Sequence, residues 1–262
     1  MGKIVTLAVE GLVARVTLSR PEVHNSLSPQ LVSELAEAIS TAGDTESVRV
    51  VVLLAEGASF CAGADLGWMR SIGEATYGEN LRDAMNLAEG FRAIHDCPKP
   101  VIARVQGPAY GGGVGLVAVC DVVVAVESAQ FAFSEVRLGI VPALIAPHVL
   151  QKLNPGVTRR LFVTGERFGA AAAQQFGLVS AVVQAADLDA EVDRWVHMLL
   201  QNGPEAMASA KKLVDVAASL SLDAGLERMP EWIAERRASA EAREGLSAFL
   251  EKRKPRWVPE QT

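Results

Sequence analysis

Two glycine-rich segments carry the residue types best suited to chemistry. Residues 59–69 read SFCAGADLGWM and residues 105–121 read VQGPAYGGGVGLVAVCD; each follows an expected strand and enters an expected helix. Glycine lets backbone N–H groups approach a ligand closely, and a helix that begins there adds partial positive charge. Two such loops facing each other would stabilise a developing oxyanion. Glycines also permit tight turns and close helix packing, so composition alone leaves both interpretations open.

These segments match neither of the common phosphate-binding loops. No Gly-Lys-Ser/Thr follows the triple glycine at 111–113, as a Walker loop requires. The spacing of Gly111, Gly113 and Gly115 is not that of the dinucleotide-binding fingerprint either. The glycines therefore indicate neither of these phosphate sites, and both an oxyanion site and a purely structural role of the glycines stay open.

Composition narrows the class of protein. The chain has 262 residues, of which 50% are hydrophobic, and a formal net charge of −6. This balance indicates a folded protein and argues against a nucleic-acid or membrane-surface binder. No apolar run reaches the roughly 18 residues of a membrane span, and the first residues lack the apolar stretch of a signal peptide. We expect a cytoplasmic protein.

Three cysteines, Cys61, Cys97 and Cys120, are widely spaced and form no CxxC pair. An odd number at such spacing argues against a disulfide framework and against a zinc site. The four histidines have no metal-ligand spacing either. We expect buried, reduced cysteines and no bound metal.

The hydrophobic pattern predicts an α/β chain. Continuous runs of β-branched residues predict buried strands, and apolar residues at helical spacing predict the segments between them. Expected strands are 3–9, 12–18, 48–55, 100–105, 121–126 and 179–183. Expected helices are 29–42, 79–95, 112–119, 142–153, 157–163, 170–175, 187–201, 205–218 and 221–250. The pattern places a boundary near residue 200, between a mixed core and a helical tail.

Four motifs in a fixed order resemble one family. FCAGADL, GPAYGGGVGLVAVCD, FAFSEVRLGIVP and VTGERFGAAAAQQFGLVSAVV are similar to the motifs of the crotonase (enoyl-CoA hydratase/isomerase) superfamily, and the resemblance runs from residues 19–28 to residues 244–257. It implies a spiral of β-β-α units in residues 1–200, holding the coenzyme A and acyl site. It also implies that the helical region, residues 201–262, packs into a homotrimer, two of which can stack as a homohexamer.

The resemblance assigns three catalytic positions. The N–H groups of Ala64 and Gly112 would both donate to the thioester oxygen of an acyl-CoA. Glu135, in FAFSEVRLG, would be the acid/base, and we expect it to be partly buried with a raised pKa. The superfamily's hydratases commonly carry another glutamate two residues after the triple glycine. Here that position is Gly115, which is the chain's main departure from the pattern.

Further positions are implied as contacts with the substrate. The adenine of a bent coenzyme A would lie against the 62–66 loop, and a basic residue near the C-terminus would meet its phosphates. Coenzyme A is part of the substrate, so no separate cofactor is expected. Asp121 is interpreted as a structural residue that bonds the start of a strand. The implied substrate contacts are Ala62, Asp65, Leu66, Trp68, Gly111, Gly115 and Lys252.

Three features narrow the choice among the superfamily's reactions: Gly115, Trp68-Met69 after the first loop, and the LGIVPALIAP stretch. Together they are similar to hydratases of 3-methylglutaconyl-CoA, which also dehydrate 3-hydroxy-3-methylglutaryl-CoA. A carboxylated substrate predicts a cationic partner, for which Arg70, Arg82 and Arg137 are candidates. A Δ3,Δ2-enoyl-CoA isomerase with one glutamate and a generic short-chain hydratase stay as alternatives. A non-catalytic acyl-CoA-binding or RNA-binding relative is the alternative of another class.

Overall fold

Strands and helices alternate through the first two thirds of the chain, and helices alone complete it. A computed structural model describes residues 3–259. The strands are β1 (Val5–Glu10), β2 (Val13–Leu18), β3 (Val50–Ala55), β4 (Val101–Val105), β5 (Ala109–Tyr110), β6 (Val122–Val126), β7 (Gln130–Ala132), β8 (Phe168–Gly169) and β9 (Ala181–Val183).

The α-helices fill the intervals between strands and the last quarter of the described chain. They are α1 (Pro29–Asp44), α2 (Leu66–Glu74), α3 (Tyr77–His95), α4 (Gly112–Val119), α5 (Ala146–Lys152), α6 (Pro155–Thr164), α7 (Ala170–Phe176), α8 (Leu188–Leu200), α9 (Pro204–Ser219), α10 (Leu222–Ala238) and α11 (Ala240–Leu250). The predicted α/β fold with a helical C-terminal region is confirmed. No helix among residues 3–259 is long and apolar enough to cross a membrane.

The main sheet has six strands in the order β1-β2-β3-β4-β6-β9. β1 pairs antiparallel with β2, and every later pair in this sheet is parallel. Residues 50–53 of β3 are fully buried, as the continuous run of β-branched residues predicted. Parallel order brings the carboxyl ends of β3 and β4 to the same edge, where both glycine-rich loops leave the sheet.

A second sheet of three short strands, β5-β7-β8, lies beside these loops. β5 runs parallel to β7, with Ala109 opposite Phe131, and β8 is antiparallel to β7. Strands of two or three residues are too short to leave a hydrophobic period in the sequence, so none of these three strands was predicted. This sheet places the end of β7, and the segment that follows it, next to the triple glycine.

The start of α1 lies where the sequence predicted it. Ser28 accepts the N–H of Leu31 at 3.2 Å, and Pro29 is the first helical residue, as predicted. The prediction of a single helix over 221–250 is wrong. The chain breaks at Ser239, whose hydroxyl accepts the N–H of Ala242 at 3.0 Å and thereby begins a new helix.

Two polar side chains tie distant segments to the main sheet. Asp121 accepts the N–H of Val101 at the start of β4 at 2.7 Å, which confirms its predicted structural role. Arg49, which is 8% exposed, donates to the carbonyls of Asn202 at 2.7 Å and Trp257 at 3.0 Å. The helical C-terminal region is therefore anchored at both of its ends to the core.

Candidate active site

The amide of Ala64 is fixed by a one-residue parallel bridge to Leu27. The N–H of Leu27 donates to the carbonyl of Gly63 at 2.7 Å, and the N–H of Asp65 donates to the carbonyl of Leu27 at 2.8 Å. In parallel pairing, the residue between two such bonds turns its own N–H to the opposite side. The N–H of Ala64 therefore faces away from Leu27, and within residues 3–259 it has no protein acceptor.

The amide of Gly112 begins α4, so helix geometry leaves it without an intrahelical acceptor. The chain enters the helix through Gly111, whose φ of 50° and ψ of −123° favour glycine. The N–H of Gly111 donates to the carbonyl of Ala132 at 2.9 Å, and its carbonyl accepts from Val114 at 2.9 Å. These bonds fix the start of α4 and leave the N–H of Gly112 available to a ligand.

The two loops contact each other one residue before each free amide. A Cβ on Gly63 would lie 2.9 Å from the carbonyl oxygen of Tyr110 and 3.9 Å from the Cα of Gly111. The N–H of Tyr110 also donates to the carbonyl of Cys61 at 2.9 Å. This contact leaves no room for a side chain between the loops, and it brings the two free amides into one site.

Glu135 completes the site from the segment after β7. It begins a short 3-10 helix, Glu135–Leu138, and its Oε1 would lie 3.3 Å from a Cβ on Gly111. Its Oε2 is buried and has no hydrogen-bond partner among the described residues. Burial raises the pKa of Glu135, as predicted, because the charged form loses hydration. A carboxylate in this state takes up and returns protons readily.

Position 115 is closed to a second carboxylate. A Cβ on Gly115 would overlap the Cγ2 of Ile145 and would lie 3.0 Å from the Cε1 of Phe91. Both neighbours are buried, at 2% exposure for Ile145 and 1% for Phe91. The place of the missing glutamate is thus filled by apolar side chains.

Comparisons with known proteins agree with this geometry. Residues 9–260 match the model of the family described as enoyl-CoA hydratase/isomerase. The chain belongs to that family. The structure of an enoyl-CoA hydratase from Shewanella pealeana has a TM-score of 0.93 and 36% identity, covering 97% of this chain and 96% of that chain. The structure of an enoyl-CoA hydratase from Mycobacterium smegmatis has a TM-score of 0.91 and 34% identity, covering 98% and 99%.

A curated relative agrees as well. The enoyl-CoA hydratase ACTT6 of Alternaria alternata is 35% identical over 200 residues, which are 76% of this chain and 65% of that protein. The family model and the solved structures confirm the predicted superfamily, and the chain is an enzyme of the enoyl-CoA hydratase type, a hydro-lyase. The catalytic roles of Ala64, Gly112 and Glu135 stay predictions, now with a geometry that unites them.

Arg20, which was not among the predicted site residues, supports the first loop of this hydratase-type site. Its guanidinium donates to the carboxylate of Asp65 at 3.3 Å, to the carbonyl of Ser26 at 3.2 Å and to the hydroxyl of Ser28 at 3.3 Å. It thereby joins the loop that carries Ala64 to the start of α1. The only sequence signal was its place in the SRPEVHNSLS segment, which the family resemblance already covered.

Asp65 caps α2, the helix that the first glycine-rich segment was expected to enter and for which no bounds were predicted. Its Oδ1 accepts the N–H groups of Gly67 at 2.9 Å and Trp68 at 3.3 Å. Burial alone would raise the pKa of Asp65, but these N–H groups and Arg20 together lower it. The carboxylate of Asp65 thus already accepts hydrogen bonds from protein groups. A contact of Asp65 with substrate stays a prediction.

Three of the predicted substrate contacts, Ala62, Leu66 and Lys252, are exposed. Ala62 and Leu66 are exposed on the first loop, which suits the predicted adenine contact without testing it. Lys252 is exposed just beyond α11, with a φ of 56°, and its N–H donates to the carbonyl of Phe249 at 3.2 Å. Within the single chain, no described hydrogen bond joins Lys252 to the site. Its phosphate-binding role stays a prediction.

Trp68 is buried rather than open to the site. Its Nε1 donates to the carboxylate of Asp83 at 2.9 Å, which links α2 to α3. The indole lines a groove of about 360 Å³ between α1, α2 and α3, and none of the three predicted catalytic residues lines that groove. The groove therefore does not mark the active site, and the contact of Trp68 with substrate stays a prediction.

Across residues 3–259, no group of three or more His, Cys, Asp or Glu side chains is arranged to hold a metal ion. The three cysteines are free and buried, and burial raises the pKa of Cys61 and Cys120 to about 12. At this pKa the thiols stay protonated at neutral pH, so neither is poised as a nucleophile.

Proposed function

We propose that this enzyme hydrates the double bond of a branched, carboxylated enoyl-CoA, 3-methylglutaconyl-CoA, and dehydrates 3-hydroxy-3-methylglutaryl-CoA in the reverse direction. The observation that carries hydration is the position of Glu135, whose buried carboxylate lies against Gly111, one residue before the free amide of Gly112. A proton acceptor therefore stands beside the place where a thioester oxygen would be held.

Each step of hydration then has a group to perform it. Glu135 takes a proton from water, and the hydroxide oxygen bonds to C3 of the substrate. The electron pair of the C2–C3 double bond moves toward the thioester oxygen, where the N–H groups of Ala64 and Gly112 stabilise the enolate. Each N–H donor stabilises the negative charge that develops on this oxygen by roughly 3 kcal/mol. Glu135 then returns its proton to C2, so that one water is added and the carboxylate is regenerated.

The raised pKa of Glu135 suits both proton transfers. A carboxylate with an ordinary pKa would be a weak base toward water at neutral pH, and burial makes this one stronger. A single group can serve both steps because its proton comes from water and goes to the adjacent carbon. The absence of a carboxylate at position 115 therefore does not prevent hydration.

The carboxylated substrate is supported by the family resemblance and needs a cationic partner. Arg70 on α2, Arg82 on α3 and Arg137 in the 3-10 helix of Glu135 are all exposed. Arg137 is two residues from Glu135, and its Nε would lie 3.3 Å from a Cβ on Gly165, so its side chain lies against the C-terminal end of α6. Arg70 and Arg82 lie on the helices that follow the Ala64 loop.

A panel of four thioesters tests the proposal: 3-methylglutaconyl-CoA, 3-hydroxy-3-methylglutaryl-CoA, crotonyl-CoA and 3-hexenoyl-CoA. We expect the first two to give the highest kcat/KM, and we expect Arg→Met at one of the three arginines to reduce that preference while sparing crotonyl-CoA. Equal kcat/KM for crotonyl-CoA and 3-methylglutaconyl-CoA would contradict the carboxylated substrate and favour a generic short-chain hydratase.

A second candidate function is Δ3,Δ2-enoyl-CoA isomerisation. It is favoured by the apolar wall that Ile145 and Phe91 form at position 115, since an isomerase needs one base that moves a proton between C2 and C4. The same panel separates the two reactions. Conversion of 3-hexenoyl-CoA to the conjugated isomer, without a 3-hydroxyacyl product from any thioester, would replace hydration with isomerisation.

A further inference from the structure

Lys152, the last residue of α5, is largely withdrawn from solvent and lies at the C-terminal end of α4, the end opposite Gly112. Its Nζ donates to the carbonyl of Cys120, the C-terminal cap of α4, at 2.5 Å. Burial lowers the pKa of Lys152, while the carboxylate of Asp121 raises it and the charge of Lys211 lowers it. Removing a lysine from water is costly, so the position calls for an explanation beyond packing.

The helix between Gly112 and Cys120 has no charge of its own. α4 consists of glycine, valine, leucine and alanine, and its residues 113–119 are all buried. Its eight residues span about 12 Å. The field of an α-helix is equivalent to roughly +0.5 charge at the N-terminus and −0.5 at the C-terminus, and a cation at the C-terminus offsets the negative end. An anion at Gly112 would then experience mainly the positive end.

Helix α5 holds α4 at two points. Ile145, the residue before α5, abuts Gly115 near the start of α4, and Lys152, the last residue of α5, bonds the cap at its end. The two helices therefore run alongside each other in the same direction. Lys211 lies in the same charged cluster, but its Nζ bonds the carboxylate of Asp121 at 2.8 Å rather than a carbonyl of α4. It offers a matched control.

We propose that Lys152 is a positioning residue for the oxyanion site: by bonding the C-terminal cap of α4 it fixes the helix and strengthens the positive end that the amide of Gly112 presents to the thioester oxygen. This inference rests on the proposed role of Gly112. It concerns the stabilisation of negative charge on the thioester oxygen, so it applies to hydration and to isomerisation alike.

The expected effect is moderate because the charge acts over about 12 Å. At that distance and an effective dielectric constant near 20, a unit charge changes the stability of the enolate by about tenfold at most. Lys152→Met should therefore lower kcat by about three- to tenfold and leave KM within about twofold. A purely structural role would lower the melting temperature without separating kcat from KM.

Acetoacetyl-CoA provides the decisive readout. Its enolate carries the charge on the thioester and ketone oxygens and absorbs in the near ultraviolet, whereas its keto form does not. We would titrate this probe into wild type, Lys152→Met, Lys152→Gln and Lys211→Met, and measure butyryl-CoA affinity in parallel. Lys152→Gln retains a donor to the carbonyl but has no charge, and it replaces Lys152→Met if that variant does not fold.

The outcomes are distinct. The proposal expects both Lys152 variants to bind less of the probe as enolate, by about three- to tenfold, with butyryl-CoA affinity unchanged and Lys211→Met like wild type. An enolate fraction equal to that of wild type in a folded Lys152 variant would overturn it, as would an equal loss in Lys211→Met. Failure of the proposed function would show separately, as wild-type enzyme that binds the enolate but converts none of the four thioesters.

Discussion

The side chain of Ile145 fills the space in front of Gly115, so that a Cβ at position 115 would overlap its Cγ2. The two residues are 30 positions apart, yet each determines what the other can be. A small residue at 115 leaves room for the isoleucine, and the isoleucine excludes any acid from 115. The apolar wall at position 115 is therefore a property of this pair.

A double-mutant cycle tests the pair. Gly115→Ala should destabilise the protein by about 1–3 kcal/mol through overpacking, and Ile145→Ala by about 2–5 kcal/mol through the cavity it leaves. Because the shorter side chain at 145 makes room for the new methyl group, the double variant should lose at least about 1 kcal/mol less than the sum. Urea unfolding measures all four proteins. Additivity within about 0.5 kcal/mol would show that the two side chains do not compete for this space.

Glu135→Gln should have opposite effects on turnover and stability. Loss of the proton acceptor should reduce kcat by about 10²- to 10⁴-fold. Burial raises the pKa of Glu135, so folding favours its protonated form, and the wild type loses stability as pH rises from the ordinary glutamate value through the raised one. Glutamine does not titrate. The variant should therefore melt at a higher temperature than wild type at pH 8, with the difference shrinking toward pH 4.

The control for this pH dependence is Glu37→Gln, an exposed glutamate on α1. It should leave kcat unchanged and should shift melting by the same small amount as other surface changes. Full turnover by Glu135→Gln would remove this residue from the mechanism. A melting difference that grows toward acid pH would mean that the carboxylate is stabilised in the folded state rather than destabilised.

The two glycine-rich loops were identified from the sequence, but the contacts that position them are visible only in the structure. The prediction of Ala64, Gly112 and Glu135 came from the family resemblance, which rests on motifs that follow one another in a fixed order. In the structure, the pairing of the short strands β5 and β7 helps to bring these three residues together. Strands this short leave no hydrophobic periodicity in the sequence. Leu27 acts through its backbone, so its side chain gave no signal of its bridge to Ala64.

Contacts between distant residues explain the other omissions. Arg20 lies 45 positions before Asp65, and Lys152 lies 32 positions after Cys120. Each is an ordinary surface residue by type, and only the fold removes it from water. The helical break at Ser239 was missed for a different reason, since one serine cap in a strongly helical stretch is a weak signal.

Arg20→Met should weaken the support of the Ala64 loop. The variant removes bonds to Asp65, Ser26 and Ser28, which are partly buried. We expect a loss of about 1–3 kcal/mol, a melting temperature lower by several degrees, and a several-fold fall in kcat as the amide of Ala64 loses its fixed position. Arg15→Met is the matched control, because Arg15 pairs with Glu10 on an exposed part of β1 and β2. That change should be nearly neutral, and an Arg20→Met enzyme with wild-type kcat and melting would show that the loop is held without it.

The last helices should form the contacts of an assembly. Large apolar side chains on α10 and α11 are exposed in the single chain, including Leu222 at 78%, Phe249 at 80% and Leu250 at 77%. Surface patches of this kind mark protein–protein contacts, and the family resemblance predicts a homotrimer or homohexamer. Light scattering should therefore give three or six times the mass of one chain, and Phe249→Asp with Leu250→Asp should reduce it. Val9→Asp, an exposed apolar residue on β1, is the control and should leave the mass unchanged. A monomeric wild type at micromolar concentration would contradict the prediction and would leave those side chains in need of another partner.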